Sequence, residues 1–233
     1  MAKSPLGRIQ DHLKQIVYGG NDGIVTTFAI VAGFAGAQAD GVAQVGGVAV
    51  ILFGLANLFS DAVSMGLGDF LSSRSQDQMF AQRQRWVLSH IQSDPDSALS
   101  EIIVQLELRG MAPDAAARAA REIMTSPQAT AELLIGNNGK STRKQDHPAL
   151  SGLVTFASFV GFGVLPLLPY LLAEAGPFSL ALSCFATLTA LFMLGLLRGV
   201  ATGEPISRSV LETISVGSIC AAVAFVVGLL VSA

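Results

Sequence analysis

Charge is scarce in this chain of 233 residues: Asp, Glu, Lys and Arg make up 13% of it, about half the quarter typical of soluble domains. With half the residues apolar, this excludes a disordered chain and argues against an ordinary soluble enzyme. Basic residues are not in excess, at 14 Lys and Arg against 17 Asp and Glu for a net charge of −3, so a basic nucleic-acid binder is excluded. There are two cysteines, Cys184 and Cys220, each inside an apolar run. They read as free thiols acting as small hydrophobes, and they supply neither a disulfide framework nor a Cys-x-x-Cys metal knuckle. The three histidines, His12, His90 and His147, are scattered and support no His-rich site. A Ser/His/Asp set and a Gly-rich phosphate loop are also missing, so the chain reads as no enzyme.

What the chain has is apolar length. Hydrophobic residues are 51% of the sequence and glycines number 24, with a mean hydropathy of +0.56. A hydrocarbon core about 30 Å thick needs roughly 20 helical residues to cross it. Four stretches suit that need, from about Val42 to Leu58, Leu150 to Leu172, Pro177 to Leu197 and Val210 to Val231. A fifth, Ile24 to Ala37, covers only about 21 Å as a helix. Begun instead near Ile16, it reaches full length and draws Asp22 below the membrane surface. The other reading is a short interfacial or re-entrant segment with Asp22 as an N-cap in water. The full span is favoured, which makes an all-α membrane protein of five transmembrane helices.

Orientation follows from the basic residues. With the N-terminus cytoplasmic, the cytoplasmic segments hold Lys3, Arg8 and Lys14, the stretch Arg74 to Lys144, and Arg198 with Arg208, which together are all 14. The opposite side receives Asp40, Glu174 and no basic residue, as the positive-inside rule requires. Leu6, Ile9, Leu13, Ile16 and Val17, interspersed with Arg8, Asp11, His12 and Lys14, form an amphipathic N-terminal piece suited to lie on the cytoplasmic face. The chain thus divides into 1–73 (this piece and helices 1–2), 74–147 (a cytoplasmic helical domain with its linker) and 148–233 (helices 3–5). The middle part carries nine basic and nine acidic residues. Its apolar positions recur at helical spacing, and Pro95, Pro113 and Pro127 cut it into about three short helices, with Asp94 and Asp114 as their expected starts.

The chemistry sits in the stretch Asn57 to Phe70. Asn57, Asp61, Met65 and Asp69 are each four residues apart, so on a helix they share one broad face over about 18 Å. Carboxylates inside a span are functional candidates by default. Oxygen donors with a thioether among them suit a transition-metal cation better than Ca²⁺ or Mg²⁺. Asp22, near the cytoplasmic start of the first span, falls at a depth similar to Asp61 near the cytoplasmic end of the second. Glu212 would be a third acid at that level or an interfacial acid beside Arg208, the second being favoured. Pro166 and Pro169 should kink the third span, while Ser183, Thr187 and Thr189 read as hydrogen-bond donors between helices.

At these residues the sequence resembles the vacuolar iron transporter family, which includes the yeast-type vacuolar iron and manganese importers. The matching stretches are Gly20 to Val25, Asn57 to Ser73 with its Ser64-Met65-Gly66 core, Leu165 to Tyr170, Leu191 to Gly199 and Leu211 to Gly228. The resemblance implies a homodimer of five helices per subunit, with metal passing along the dimer interface. It implies movement of Fe²⁺, and often Mn²⁺, out of the cytoplasm in exchange for protons, with no cofactor bound permanently and no nucleic-acid partner. The first-span aspartate of the family corresponds to Asp22 and the second-span methionine to Met65. Asp69 stands where relatives often have Glu. The middle domain departs from the pattern. Glu101 matches one of the family's metal-collecting glutamates, but Ala98 replaces its partner, and Leu133-Leu134-Ile135-Gly136 replaces the expected Met-Met-x-Glu. The candidate metal residues are therefore Asp22, Asp61, Met65, Asn57, Asp69 and Glu101. The competing reading is a membrane scaffold or accessory subunit that keeps the fold without transport. With no organellar targeting segment visible, a bacterial plasma membrane is favoured over a vacuolar one.

Overall fold

In a computed structural model of the chain, the described residues are 10–38, 47–136, 147–173 and 176–232. Their regular elements are all helical: α1 (Leu13–Gln38), α2 (Gly47–Ser93), α3 (Pro95–Leu108), α4 (Pro113–Met124), α5 (Pro127–Gly136), α6 (Pro148–Gly163), α7 (Leu168–Leu172), α8 (Pro177–Thr202) and α9 (Ile206–Ser232), with a 3₁₀ turn over Leu165–Leu167. They fall into two compact units, one of Met1–Phe70 with His147–Ala233 and one of Leu71–Asp146.

Among the described residues, four helical segments are long and apolar enough to cross a membrane: Gly47–Ser93, Pro148–Leu172, Pro177–Thr202 and Ile206–Val231. Helix α1 is not among them. Its 26 residues reach about 39 Å, but Gln15, Asn21, Asp22 and the glycines around them dilute its apolar character. It is nonetheless an interior helix that packs against α6, α8 and α9, with Ile24, Thr27 and Val31 fully enclosed. Large apolar side chains instead cover the outside of the first unit. On α2 these include Leu52, Phe53, Phe59 and Leu67, and on α9 Leu211, Ile219, Val223 and Leu230. A water-soluble surface does not carry such continuous apolar cover; a surface meeting lipid does. The protein is an integral membrane protein that crosses the bilayer more than once.

The element boundaries follow from the local sequence. Of the second expected span, 42–46 lies outside the described residues. From Gly47 the helix does not stop near Leu58 but continues to Ser93, because no proline occurs in that stretch. Helix α3 then restarts with Pro95 in its first turn and Asp94 as N-cap, the Asp94 carboxylate accepting from the Ser97 N–H at 3.1 Å. Asp114 is not the cap of α4; Ala112 takes that place without a side-chain bond, and Asp114 sits in the first turn, where its charge complements the helix dipole. The third span is broken as its prolines require. Pro166 and Pro169 cannot donate backbone hydrogen bonds to the preceding turn, α6 ends at Gly163, and the 3₁₀ turn leads into α7. The Ser183 hydroxyl of α8 donates to the Pro166 carbonyl at 2.6 Å. Thr187 and Thr189 bond within their own helix instead, to the Ser183 and Phe185 carbonyls. At the end of α8, Gly203 adopts a left-handed φ of 73° and its N–H returns to the Gly199 carbonyl, which turns the chain into α9.

In the second unit, the Leu71–Ser93 part of α2 joins α3, α4 and α5 around a small core. Val87 and Ile91 pack with Ala98, Ile102, Leu106, Ala116, Ala120, Ala131, Leu134 and Ile135. Thr130 closes the α4–α5 turn by donating to the Ile123 and Ser126 carbonyls.

Within the first unit the helices approach through glycines, as expected where apolar lipid gives no net drive to associate and close packing must. A Cβ on Gly66 would lie 2.9 Å from the Gly152 carbonyl oxygen, and one on Gly152 would collide with that of Gly66. Gly68, two residues on, has nothing within 4 Å. Gly152→Val should therefore lower thermal stability in detergent by about 1–3 kcal/mol through overpacking. Gly68→Ala should leave it unchanged or raise it by up to about 1 kcal/mol. Equal melting curves for the two variants would contradict this packing.

Candidate metal centre

Helices α1 and α2 bring two carboxylates together. Asp22 of α1 and Asp61 of α2 are near enough for their charges to act on each other, and both side chains are half-buried. Asn57, one turn before Asp61, donates from Nδ2 to Asp61 Oδ2 at 2.7 Å. That bond orients the carboxylate and leaves its second oxygen and the Asn57 carbonyl oxygen available. The Asp22 backbone carbonyl accepts from Thr26 Oγ1 at 2.8 Å. Met65, a further turn along α2, is half-buried beside the cluster of Leu58, Ala62 and Phe159, so its thioether is also a packing element.

Two cavities flank α1. One of about 790 Å³ is lined by small residues of α1 and α9 (Ala29, Gly33, Ala37, Ala224 and Gly228) and by Asn57 and Ser60 of α2. The other, of about 950 Å³, opens among the ends of α1, α8 and α9 and is lined in part by Lys14, Tyr18, Asn21, Arg198 and Glu212. The side-chain oxygen of Asn21, next in sequence to Asp22, is buried with no hydrogen-bond partner. An unmet buried acceptor costs about 1–3 kcal/mol, so this is a place for a donor such as water.

The remaining candidates are placed differently. Asp69 is turned to α6, where its Oδ2 accepts from the Ser151 and Thr155 hydroxyls. Glu212 is tied to guanidinium groups, with Arg198 Nη2 at 2.9 Å and Arg208 Nε at 3.0 Å; Arg198 also reaches Glu204 at 3.5 Å. Its charge is therefore balanced within the protein, and the pairing with Arg208 is the one the second reading expects. Glu101 belongs to the second unit, exposed on α3 at 3.9 Å from His90 Nε2, and His90 stacks on Trp86. Among the described residues no three His, Cys, Asp or Glu side chains converge on one point. What the structure brings together is Asn57 bonded to Asp61, with Asp22 in electrostatic reach of Asp61 and Met65 one turn further along α2. Sequence spacing alone gave no sign of the Ser151–Asp69 and Arg198–Glu212 contacts, because each joins residues far apart in the chain. Ser151, Thr155 and Gln15 gave no signal because hydroxyls and amides are ordinary in such helices.

A bundle of membrane helices with facing carboxylates inside it defines a class, the polytopic membrane proteins built around an intramembrane polar site. Comparison with known proteins narrows this. The model of the VIT family matches residues 13–229, and the chain belongs to this family, the vacuolar iron transporters, which are transporters and not enzymes. It is 29% identical to vacuolar iron transporter 1 of Arabidopsis thaliana over 91% of this chain and 83% of that protein. It is 29% identical to vacuolar iron transporter 2 of Oryza sativa subsp. japonica over 91% and 85%. With the vacuolar iron transporter of Plasmodium berghei the identity is 31%, over 95% and 82%.

The guanidinium pairing of Glu212 makes a direct prediction. Glu212→Gln should leave the Mn²⁺ affinity of the purified protein within about twofold of wild type, the range of ordinary surface changes, when measured by calorimetric titration. A loss as deep as that of Asp22→Asn would place Glu212 in the binding site.

Proposed function

We propose that the protein carries divalent transition metal, Fe²⁺ or Mn²⁺, out of the cytoplasm as a homodimer, in exchange for protons. The observation that carries this reading is that Asp61 lies within electrostatic reach of Asp22, with the amide of Asn57 on the Asp61 carboxylate. Two like charges among apolar helices are compensated by a cation or by protons, and each can replace the other. Asp22 and Asp61 would bind the metal, the Asn57 carbonyl oxygen would complete an oxygen set, and Met65 would favour a softer transition metal over Ca²⁺ or Mg²⁺. The names of the relatives, vacuolar iron transporters, point to iron as one cargo.

Two carboxylates in a protomer fall short of a full coordination shell for such a metal. A second copy would supply another two. The cavity beside Asn57 is lined largely by apolar side chains, Phe34, Phe53, Val227 and Val231 among them, a wall that a helix of another copy would cover, and the path would then run along the interface between copies. In this arrangement α1 is the fifth span and the N-terminus is cytoplasmic, which agrees with the one-sided placement of all 14 basic residues. The favoured compartment is a bacterial plasma membrane, the vacuolar membrane being the alternative that the relatives' names suggest. The unit of Leu71–Asp146 would then be cytoplasmic. With Glu101 alone of the family's glutamate set and equal numbers of acids and bases, its role is architectural more than metal storage.

The scaffold reading has the ligand-poor second unit in its favour, but it leaves Asp22 and Asp61 without a purpose. Flux decides between them. In proteoliposomes, Asp22→Asn and Met65→Ala should each cut Mn²⁺ or Fe²⁺ flux about tenfold or more, since even losing a group that only orients a metal ligand costs about 10–100-fold, with the oligomer intact by light scattering. An imposed pH gradient should change the rate of the wild type. Unaltered flux in both variants removes this pathway, and a wild type that moves no divalent ion leaves the scaffold.

A further inference from the structure

The four-residue spacing on α2 puts Asp69 in register with Asn57, Asp61 and Met65, yet its carboxylate is already engaged. Ser151 Oγ donates to Asp69 Oδ2 in a short contact, and Thr155 Oγ1 lies 3.3 Å from the same oxygen while its one proton is shared with the Ser151 carbonyl at 3.1 Å. Ser151 Oγ also accepts from Gln15 Nε2 of α1 at 2.7 Å. Ser151, Thr155 and Gln15 are 1%, 2% and 6% exposed. Hydrogen bonds so shielded from water are strong, and leaving one unmade is costly.

The bonds form one chain from α2 through α6 to α1. They lie where glycines let the backbones approach closely: Gly66 of α2 against Gly152 of α6, and Gly19 of α1 against the Thr155 carbonyl, 2.7 Å from where a Cβ would be. Two of the helices so joined are the ones that bear the proposed ligands, α1 with Asp22 and α2 with Asn57, Asp61 and Met65. A carboxylate serves this junction because its oxygens only accept, whereas a hydroxyl there would also have a proton to place and an amide N–H would not accept at all.

We propose that Asp69 is a positioning residue and not a metal ligand. Through Ser151 and Gln15 it fixes the spacing between the helix of Asp22 and the helix of Asp61 and Met65 during transport. This rests on the reading of Asp22 and Asp61 as the metal path. A ligand role and a positioning role make opposite demands on the side chain: a ligand needs the charge, while the junction needs an acceptor oxygen, which asparagine also has.

The test is Mn²⁺ uptake into proteoliposomes, with turnover per folded protein and KM measured separately, alongside thermal melting in detergent. The variants are Asp69→Ala, Asp69→Asn, Ser151→Ala and the double variant Asp69→Ala with Ser151→Ala. Loss of the junction should lower turnover about tenfold in Asp69→Ala and in Ser151→Ala, with the double variant no worse than either, as for residues acting as a unit. Asp69→Asn should return to within about threefold of the wild type. Should Asp69→Ala fail to assemble, the Asn and Ser151→Ala variants decide the matter alone. A defect in Asp69→Asn as deep as in Asp69→Ala, with KM raised and Ser151→Ala normal, would make Asp69 a ligand and overturn the proposal. Lower melting temperatures with normal turnover per folded protein would overturn it too, because the junction would then be structural only. If the wild type takes up no Mn²⁺ or Fe²⁺, the functional reading fails first, and a non-additive melting cycle would identify the junction as a feature of the fold without a part in transport.

Discussion

A carboxylate held among apolar helices is destabilising by about 3 kcal/mol or more at the bilayer centre unless something compensates its charge. The arrangement of the first unit is a set of answers to that constraint. Glu212 is met by Arg198 and Arg208. Asp69 is met by two hydroxyls. Asp61 is met in part by the amide of Asn57, and Asp22 faces it with like charge. The compensation is therefore graded: guanidinium charge for Glu212, hydroxyl hydrogen bonds without countercharge for Asp69, and for the pair on α1 and α2 a single amide bond against a like charge. An incomplete site is the one that has use for a visiting cation.

Close packing makes this grading possible. Glycines at Gly19, Gly66 and Gly152 let the backbones of α1, α2 and α6 meet, so short side chains such as Ser151 and Thr155 can reach a carboxylate on the neighbouring helix. With larger residues there, Asp69 would have no hydroxyl within range and would be a second uncompensated charge two turns from Asp61. The same closeness makes α1 an interior helix despite its polar residues, since its apolar contacts come from its neighbours and not from lipid. The second unit obeys other rules. Its core is one of alanines and a few larger aliphatic residues, and its buried Gln105 oxygen lacks a partner.

Much of this organisation was legible in the sequence, for identifiable reasons. Membrane helices advertise themselves by length and apolarity, and the breaks at Pro95 and at Pro166–Pro169 follow from the chemistry of proline. The spacing of Asn57, Asp61, Met65 and Asp69 gives one helical face correctly in register, but register along a single helix does not say which neighbour each side chain meets. Asp69 and Asp61 have the same spacing signal; only the presence of α6 beside one and α1 beside the other separates them. The partners of Glu212 divide in the same way: Arg208, four residues away, could be read from the sequence, whereas Arg198 comes from another helix. Hydropathy falls after Leu58, so the apolar run marks only part of the second helix, while an extension beyond the span is what a stretch free of proline allows, and it reaches Ser93.

The central claim is that Asp22 and Asp61 exchange protons for a divalent metal. Its most direct test is a titration of the purified wild-type protein with Mn²⁺ in weak buffer, recording bound metal and released protons together, with the Asp22→Asn, Asp61→Asn double variant as control. Saturable binding accompanied by proton release, tighter as the pH is raised because protons compete for the same oxygens, and lost in the double variant, is the result expected. Saturable binding that is unchanged in the double variant, or binding with no proton released at any pH, would contradict it.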